Sequence, residues 1–173
     1  MGMHVIRTLL GAVPALGLCG CLAIIPAASD VPETQEPASG AGRAISGRPL
    51  SETAVAFVNG KRRAQDLSQL SHDPLLDRVA KRHARDMRRT GRLDHVDSDG
   101  KSPHERLKTA GYGPCLTAEN IGRGYPDLQA ALSGWMKSRP HRRNILLPEV
   151  REFGLGHDPA GPTWVMMLAR PGC

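Results

Sequence analysis

His95, Glu119 and His141 carry the side chains of this sequence best suited to hold a metal ion or share a proton. Each histidine follows a stretch of helical periodicity, in GRLDH and in GWMKSRPHRRNILL. A helix end is rigid enough to aim an imidazole, and the loop beyond it keeps the ring accessible. Glu119, in AENIG, is a lone acid in an apolar, strand-like stretch. Burial would leave its carboxylate in need of a hydrogen bond or a cation. Two imidazoles and a carboxylate suffice to hold zinc with one position open, or to share a proton. Whether they meet depends on the elements between them, because sequence separation says nothing about proximity.

Those elements have clear signals. In DPLLDRVAKRHARDMRRTG, Asp73 predicts an N-cap, Pro74 a first-turn residue and Gly91 a stop. Leu76, Val79, Ala80, His83, Ala84 and Met87 fall on one face of that helix, and Arg78, Arg82, Arg85, Arg89 and Arg92 on another. His83 therefore reads as a core histidine with a hydrogen-bond partner, and the arginines as a solvated face. An earlier helix is predicted to start at a Ser51 cap, and a short one between Ser102 and Gly111, with Ser102 and Glu105 in capping-box spacing. Leu128, Ala131, Leu132, Trp135 and Met136 mark an amphipathic helix that Pro140 is expected to end, turning His141 outward. CLTAENIGRG, EFGLGH and TWVMMLAR are short, apolar and Gly-bounded, and predict strands. The sum is an α+β domain with a small antiparallel sheet covered by helices. His72, His104 and His157 read as solvated side chains in turns.

The 173 residues have room for one domain with a real core. Residues 1–28 combine Arg7, an apolar run from Leu9 and small residues near Ala27, the pattern of a secretory signal. Leu18-Cys19-Gly20-Cys21 also resembles a lipobox, which leaves open signal cleavage, lipidation of Cys21 or an uncleaved anchor. All three export the domain. Residues 29–49 are rich in Pro, Gly, Ser and Ala and read as a tether, leaving 50–173 as the folded domain. Removing Arg7 with the signal leaves 22 basic side chains against 17 acidic ones, a net of +5. That balance favours anionic surroundings such as phospholipid head groups or envelope polymers. The six aromatic residues form no clustered base-stacking pair, so nucleic acid is not an expected partner. Cys115 and Cys173, an even pair in an exported domain, predict a disulfide. The sequence lacks HExxH, GxSxG, a P-loop and paired CxxC knuckles, and supplies no activated Ser or Cys nucleophile beside a base, Ser138 being the single weak candidate.

In order, HARDM, GRLDH, DGKSPHERLKTAGY, AENIGRG, GWMKSRPHRRNIL and FGLG resemble the bacterial branch of the CAP superfamily, also called SCP-like. The superfamily takes its name from cysteine-rich secretory proteins, antigen 5 and plant pathogenesis-related proteins. The resemblance spans about residues 51 to 170 and implies an α-β-α sandwich with a central antiparallel sheet, export, and a cleft of two histidines and two acids. The family's cleft histidines fall on His95 and His141 and its first glutamate on Glu119. Its second glutamate falls near Ser138, so one charged ligand becomes a hydroxyl. A cofactor is then expected to be zinc or another divalent ion, weakly held by His95, His141 and Glu119. Arg142 and Arg143 would face water or a ligand. The expected function is a cell-envelope or extracellular binding module for a metal or a small, lipid-like ligand, with an anionic lipid or envelope component as partner. The alternative is a zinc-assisted hydrolase with Glu119 as base.

Overall fold

The computed structural model describes residues 49–173. The signal over 1–28, with Cys19 and Cys21, and the tether as far as residue 48 lie outside the described residues.

The first helix, α1 (Leu50–Arg63), buries Ala54, Val58, Asn59 and Arg62. It begins one residue before the expected Ser51 cap: Pro49 is the N-cap residue, extended and without a side-chain cap bond. Arg62 is buried but not stranded, since its guanidinium donates to the carbonyls of Ser68, Ile145 and Leu147. A short strand, β1 (Ser71–His72), leads into α2 (Pro74–Thr90). Asp73 caps α2 by accepting from the amides of Leu75 and Leu76 at 2.6 and 3.0 Å. Gly91 closes it at φ 72°, a left-handed conformation that glycine adopts without steric cost. The expected apolar face, Leu76 to Met87, is the buried one. In α3 (Pro103–Thr109), both bonds of the Ser102–Glu105 capping box form.

The remaining elements are β2 (Pro114–Arg123), α4 (Leu128–Lys137), α5 (Arg139–Ile145), β3 (Glu152–Asp158) and β4 (Thr163–Pro171). The sheet order is β1-β3-β4-β2. β4 pairs antiparallel with both β3 and β2, as expected, whereas β1 runs parallel to β3 through Ser71↔Glu152 and His72↔Phe153. The central sheet is thus antiparallel as expected, with the two-residue β1 added in parallel at its edge.

Alternation along β4 makes the layers. Trp164, Met166 and Leu168 pack with α1, α4 and α5, while Val165, Met167 and Ala169 pack with α2 and α3. The result is a helix-sheet-helix sandwich. On β3, Phe153 and Leu155 belong to the first core, and Gly154 and Gly156 face α2. A Cβ on Gly154 would lie 2.4 Å from the Asp77 amide nitrogen, and one on Gly156 2.2 Å from the Ala80 carbonyl carbon. Helix and strand approach closely only because those side chains are missing. The Cys115–Cys173 disulfide joins the start of β2 to the segment after β4, across 58 residues of sequence. Among the described residues no helix is long and apolar enough to cross a membrane.

Candidate functional site

Glu119 sits in the middle of β2, paired with Met167 of β4. It shares a face with Ile121, which belongs to the α2/α3 core, so its side chain is only 1% exposed. A buried carboxylate needs donors, and three elements crowd around this one. Arg106 of α3, equally buried, donates Nη2–H to Oε2 in a charge-assisted bond. Its Nη1 donates to the carbonyls of His95 and Lys101 at 2.7 and 2.9 Å, tying the 91–102 loop to the same centre. His95 brings Nδ1 to 2.7 Å from Oε1. His83 of α2 places Nε2 3.8 Å from Oε1 while donating it to the Asp94 carbonyl at 2.9 Å.

The bond roles fix the tautomers. A carboxylate can only accept, so His95 carries its proton on Nδ1 and turns Nε2 outward, on a side chain 52% exposed. The bond to Glu119 raises the His95 pKa above the ordinary value, against partial desolvation. In His83 burial lowers it. The predicted core histidine therefore does have its partner, but it also borders the site.

His141 reaches this region from the opposite face of β2. Asn120, next to Glu119 and pointing the other way, donates to the His141 carbonyl at 3.0 Å. Asn144 donates to the Asn120 side chain at 2.9 Å and to the Glu119 carbonyl at 3.1 Å, covering the open edge of β2. Desolvation, and then the charge of His95, lower the His141 pKa. Its Nδ1 is buried without a hydrogen-bond partner among the described residues. His95 and His141 thus lie within electrostatic reach at the edge strand, one raised and the other lowered.

The local route to His141 differs from the expectation. α4 ends at Lys137, and Ser138 is at once its C-cap and the N-cap residue of α5. Pro140 lies in the first turn of α5, where its missing N–H has no intrahelical partner to lose. His141 is therefore a first-turn residue of a new helix and not a loop residue beyond an old one. Ser138 is half-buried at the joint, and its hydroxyl makes no cap bond to α5. Arg142 is exposed and lines a separate groove with Phe57, Lys61 and Met136, and Arg143 is exposed as well. His72 and His157 are half-buried strand residues and not solvated turns: His72 Nε2 bonds Asp77 Oδ1 at 2.9 Å, and His157 stacks on Trp164 with ring centroids 3.9 Å apart. His104 lies in α3, half-buried, with Nδ1 3.3 Å from Thr117 Oγ1.

Sequence reasoning missed Arg106 and Asn120. The need for a cation beside Glu119 was foreseeable, but a seven-residue helix has too few turns to show which of its basic residues points inward. Among the described residues no three His, Cys, Asp or Glu side chains cluster as a metal centre would require. Both Glu119 oxygens are engaged, by His95 and by Arg106.

Comparisons with known proteins agree with these features. A profile of the family described as CAP, the cysteine-rich secretory protein family, matches residues 55–168. The chain is 30% identical over 142 residues to YkwD of Bacillus subtilis (strain 168), an uncharacterized protein, covering 82% of this chain and 55% of that one. It is 32% identical over 92 residues to YlbC of the same organism, an uncharacterized membrane protein, covering 53% of this chain and 27% of that one. The chain thus spans about half the length of the first relative and about a quarter of the second. Among solved structures it is similar to an extracellular protein containing an SCP domain from Bacillus anthracis, with TM-score 0.66 and 26% identity over 70% of this chain and 40% of that one. An outer surface protein of Borrelia burgdorferi matches with TM-score 0.64 and 18% identity, over 71% of this chain and 93% of that one, and speaks to the fold alone.

Proposed function

Because this chain belongs to the CAP family, that of the cysteine-rich secretory proteins, we propose that it is an exported binding module whose His95/His141 cleft takes a small or lipid-like ligand or a metal. The observation that carries this reading is the state of Glu119. A general base needs an oxygen free to accept a proton from water. Here Oε1 accepts from His95, Oε2 accepts from a buried guanidinium and the side chain is only 1% exposed, so the carboxylate holds the site in place and stands away from water. Glu119 acts as an orienting group that turns His95 Nε2 outward, in the way carboxylates behind metal-bound histidines do.

A divalent ion implied by the resemblance would find His95 Nε2 and His141 as donors, with Glu119 behind them and Ser138 adding no charge. The fit is to a weak two-imidazole site and not to a three-ligand centre. Bound there, an ion would supply Lewis acidity. The chain's own contribution is to orient His95 and to keep His141 neutral, ready to accept. Export is supported by the Cys115–Cys173 disulfide, which suits an oxidising compartment, and by the extracellular relative from Bacillus anthracis. Attachment through a lipidated Cys21 would be abolished by Cys21→Ala, with the domain moving to the soluble fraction.

The deciding experiment is a calorimetric zinc titration beside a hydrolysis screen on peptide and ester substrates. Weak binding, lost in His95→Ala and His141→Ala and unaccompanied by turnover, supports the binding module. Zinc-dependent turnover lost in both variants would instead establish the hydrolase.

A further inference from the structure

The helix that carries His141 also borders a second surface. α1 contributes Phe57, Lys61, Ala64 and Gln65 to it, and α4 contributes Gln129, Ser133, Met136 and Lys137. Both sets follow the spacing i, i+4, i+7 and i+8, so each is one face of its helix over about 12 Å at about 1.5 Å per residue. Arg142 and Leu146 of α5 complete the groove between them, whose volume is about 470 Å³.

The groove has an apolar base and a cationic rim. Phe57, Met136 and Leu146 are half-buried and pack against the first core. Lys61, Lys137 and Arg142 are exposed, and no acidic side chain lines the groove. Among the described residues none of these three cations has an acidic partner. Lys61 Nζ instead stands 5.4 Å from the centre of the Phe57 ring, over the apolar base. The arginines of α2 differ, because Arg88, Arg89 and Arg92 each meet an aspartate.

The chemistry of the lining narrows the occupant. Three cations from three helices call for more than one anionic group, and the base calls for apolar side chains. The walls also carry polar groups: Gln129 and Ser133 make no side-chain bond among the described residues, and Gln65 donates only to the Ala64 carbonyl. An acyl chain laid along them would desolvate amides and a hydroxyl without replacing their bonds to water. A helical partner closes its backbone bonds on itself, whereas an extended one offers free N–H and C=O groups to both walls. About 12 Å takes about four extended residues at about 3.3 Å each, and their alternation turns two apolar side chains to the base.

We propose that this groove docks a short, acidic, extended segment of a partner protein. Two apolar side chains, two positions apart, rest on Phe57, Met136 and Leu146, and carboxylates on either side of them meet Lys61, Lys137 and Arg142. The surface works independently of the His95/His141 cleft.

The test is NMR shift mapping on the exported protein, titrated with the end-blocked peptide Asp-Glu-Leu-Ser-Phe-Glu-Asp. The expected result is saturable movement confined to the facing residues of α1, α4 and α5, weakening as salt shortens the reach of exposed charges. Lys61→Glu combined with Lys137→Glu, both exposed, should weaken binding by about tenfold or more with the melting temperature little changed. A peptide with lysines in place of its acids should not bind, and one with serines in place of Leu and Phe should bind about tenfold or more weakly. His95→Ala should leave peptide binding in place whatever the zinc titration of the cleft returns. Equal binding of the serine peptide would reduce the attraction to charge alone, and tighter saturable binding of laurate to the same residues would assign the groove to a single-chain lipid; either result overturns the proposal. So would shifts spread over the arginine face of α2, insensitivity to the double variant, or no saturable shift at all.

Discussion

His95 Nδ1 and Glu119 Oε1 meet at 2.7 Å across 24 residues of sequence, a loop residue joined to the middle of an edge strand. That bond raises the His95 pKa in the folded state. A group with a raised folded pKa contributes stability that is fully present below its unfolded value, near 6.5, and is lost as pH rises through the folded value. We expect His95 to titrate above 6.5 by NMR in the native domain and to fall towards it in Glu119→Gln. A His95 titration unmoved by that change would show that another group holds the ring.

His141 has the opposite sign. Desolvation lowers its folded pKa, so the unfolded chain takes up the proton first and stability falls as pH drops from about 6.5 towards the folded value. His141→Gln should flatten that part of the urea midpoint against pH, while the contribution of His95 persists. The same variant should also weaken any zinc binding, since a neutral imidazole is what a metal needs.

Arg106 brings a full positive charge to Glu119 inside a fully buried pair. Arg106→Met should destabilise the domain by roughly 3–5 kcal/mol, because it strands a buried carboxylate. Arg106→Lys should recover little, since one ammonium cannot reproduce a fork that reaches Glu119, His95 and Lys101 together. Denaturant midpoints at constant m-value will measure both. If Arg106→Lys is as stable as the parent, the planar geometry is irrelevant.

The glycines of β3 make a sharper structural test. Gly156→Ala would set a Cβ 2.2 Å from helix backbone and should cost about 1–3 kcal/mol or more. Gly60→Ala, inside α1 with its nearest neighbour 4.0 Å away, should instead stabilise by about 0.5–1 kcal/mol. Thermal melts of the two variants should move in opposite directions.

Reduction of Cys115–Cys173 releases a loop of 58 residues and should lower stability by about 4 kcal/mol in the chain-entropy account. A melting curve unaffected by reductant, with thiol labelling confirming two free cysteines, would contradict it.

The parts legible in the sequence were those with local, redundant signals. α2 has a cap, a first-turn proline, a left-handed stop and a period, and all four agree with the fold. The capping box of α3 and the apolar face of α4 are of the same kind. β1 was missed because two residues cannot show a period. Pro140 was misread because proline serves equally to end one helix and to begin another, and only the joint at Ser138 decides between them. The inward turn of Arg106 was invisible for a different reason: it is imposed by Glu119, 13 residues away, and no feature of HERLKT encodes it. Long-range partners of buried charges are a property of the assembled layers.

β4 lies between β3 and β2 and supplies alternate residues to both cores, yet it follows every other strand among the described residues. Neither core can close until Thr163–Pro171 is in place, so a polypeptide emerging N-terminus first has no complete folding unit to form on the way. Such an order of events implies slow, non-local closure, with the cores completed only when this strand has paired. The two glycines of β3 would then set the final fit, with α2 settling onto the strand only after its neighbour has paired.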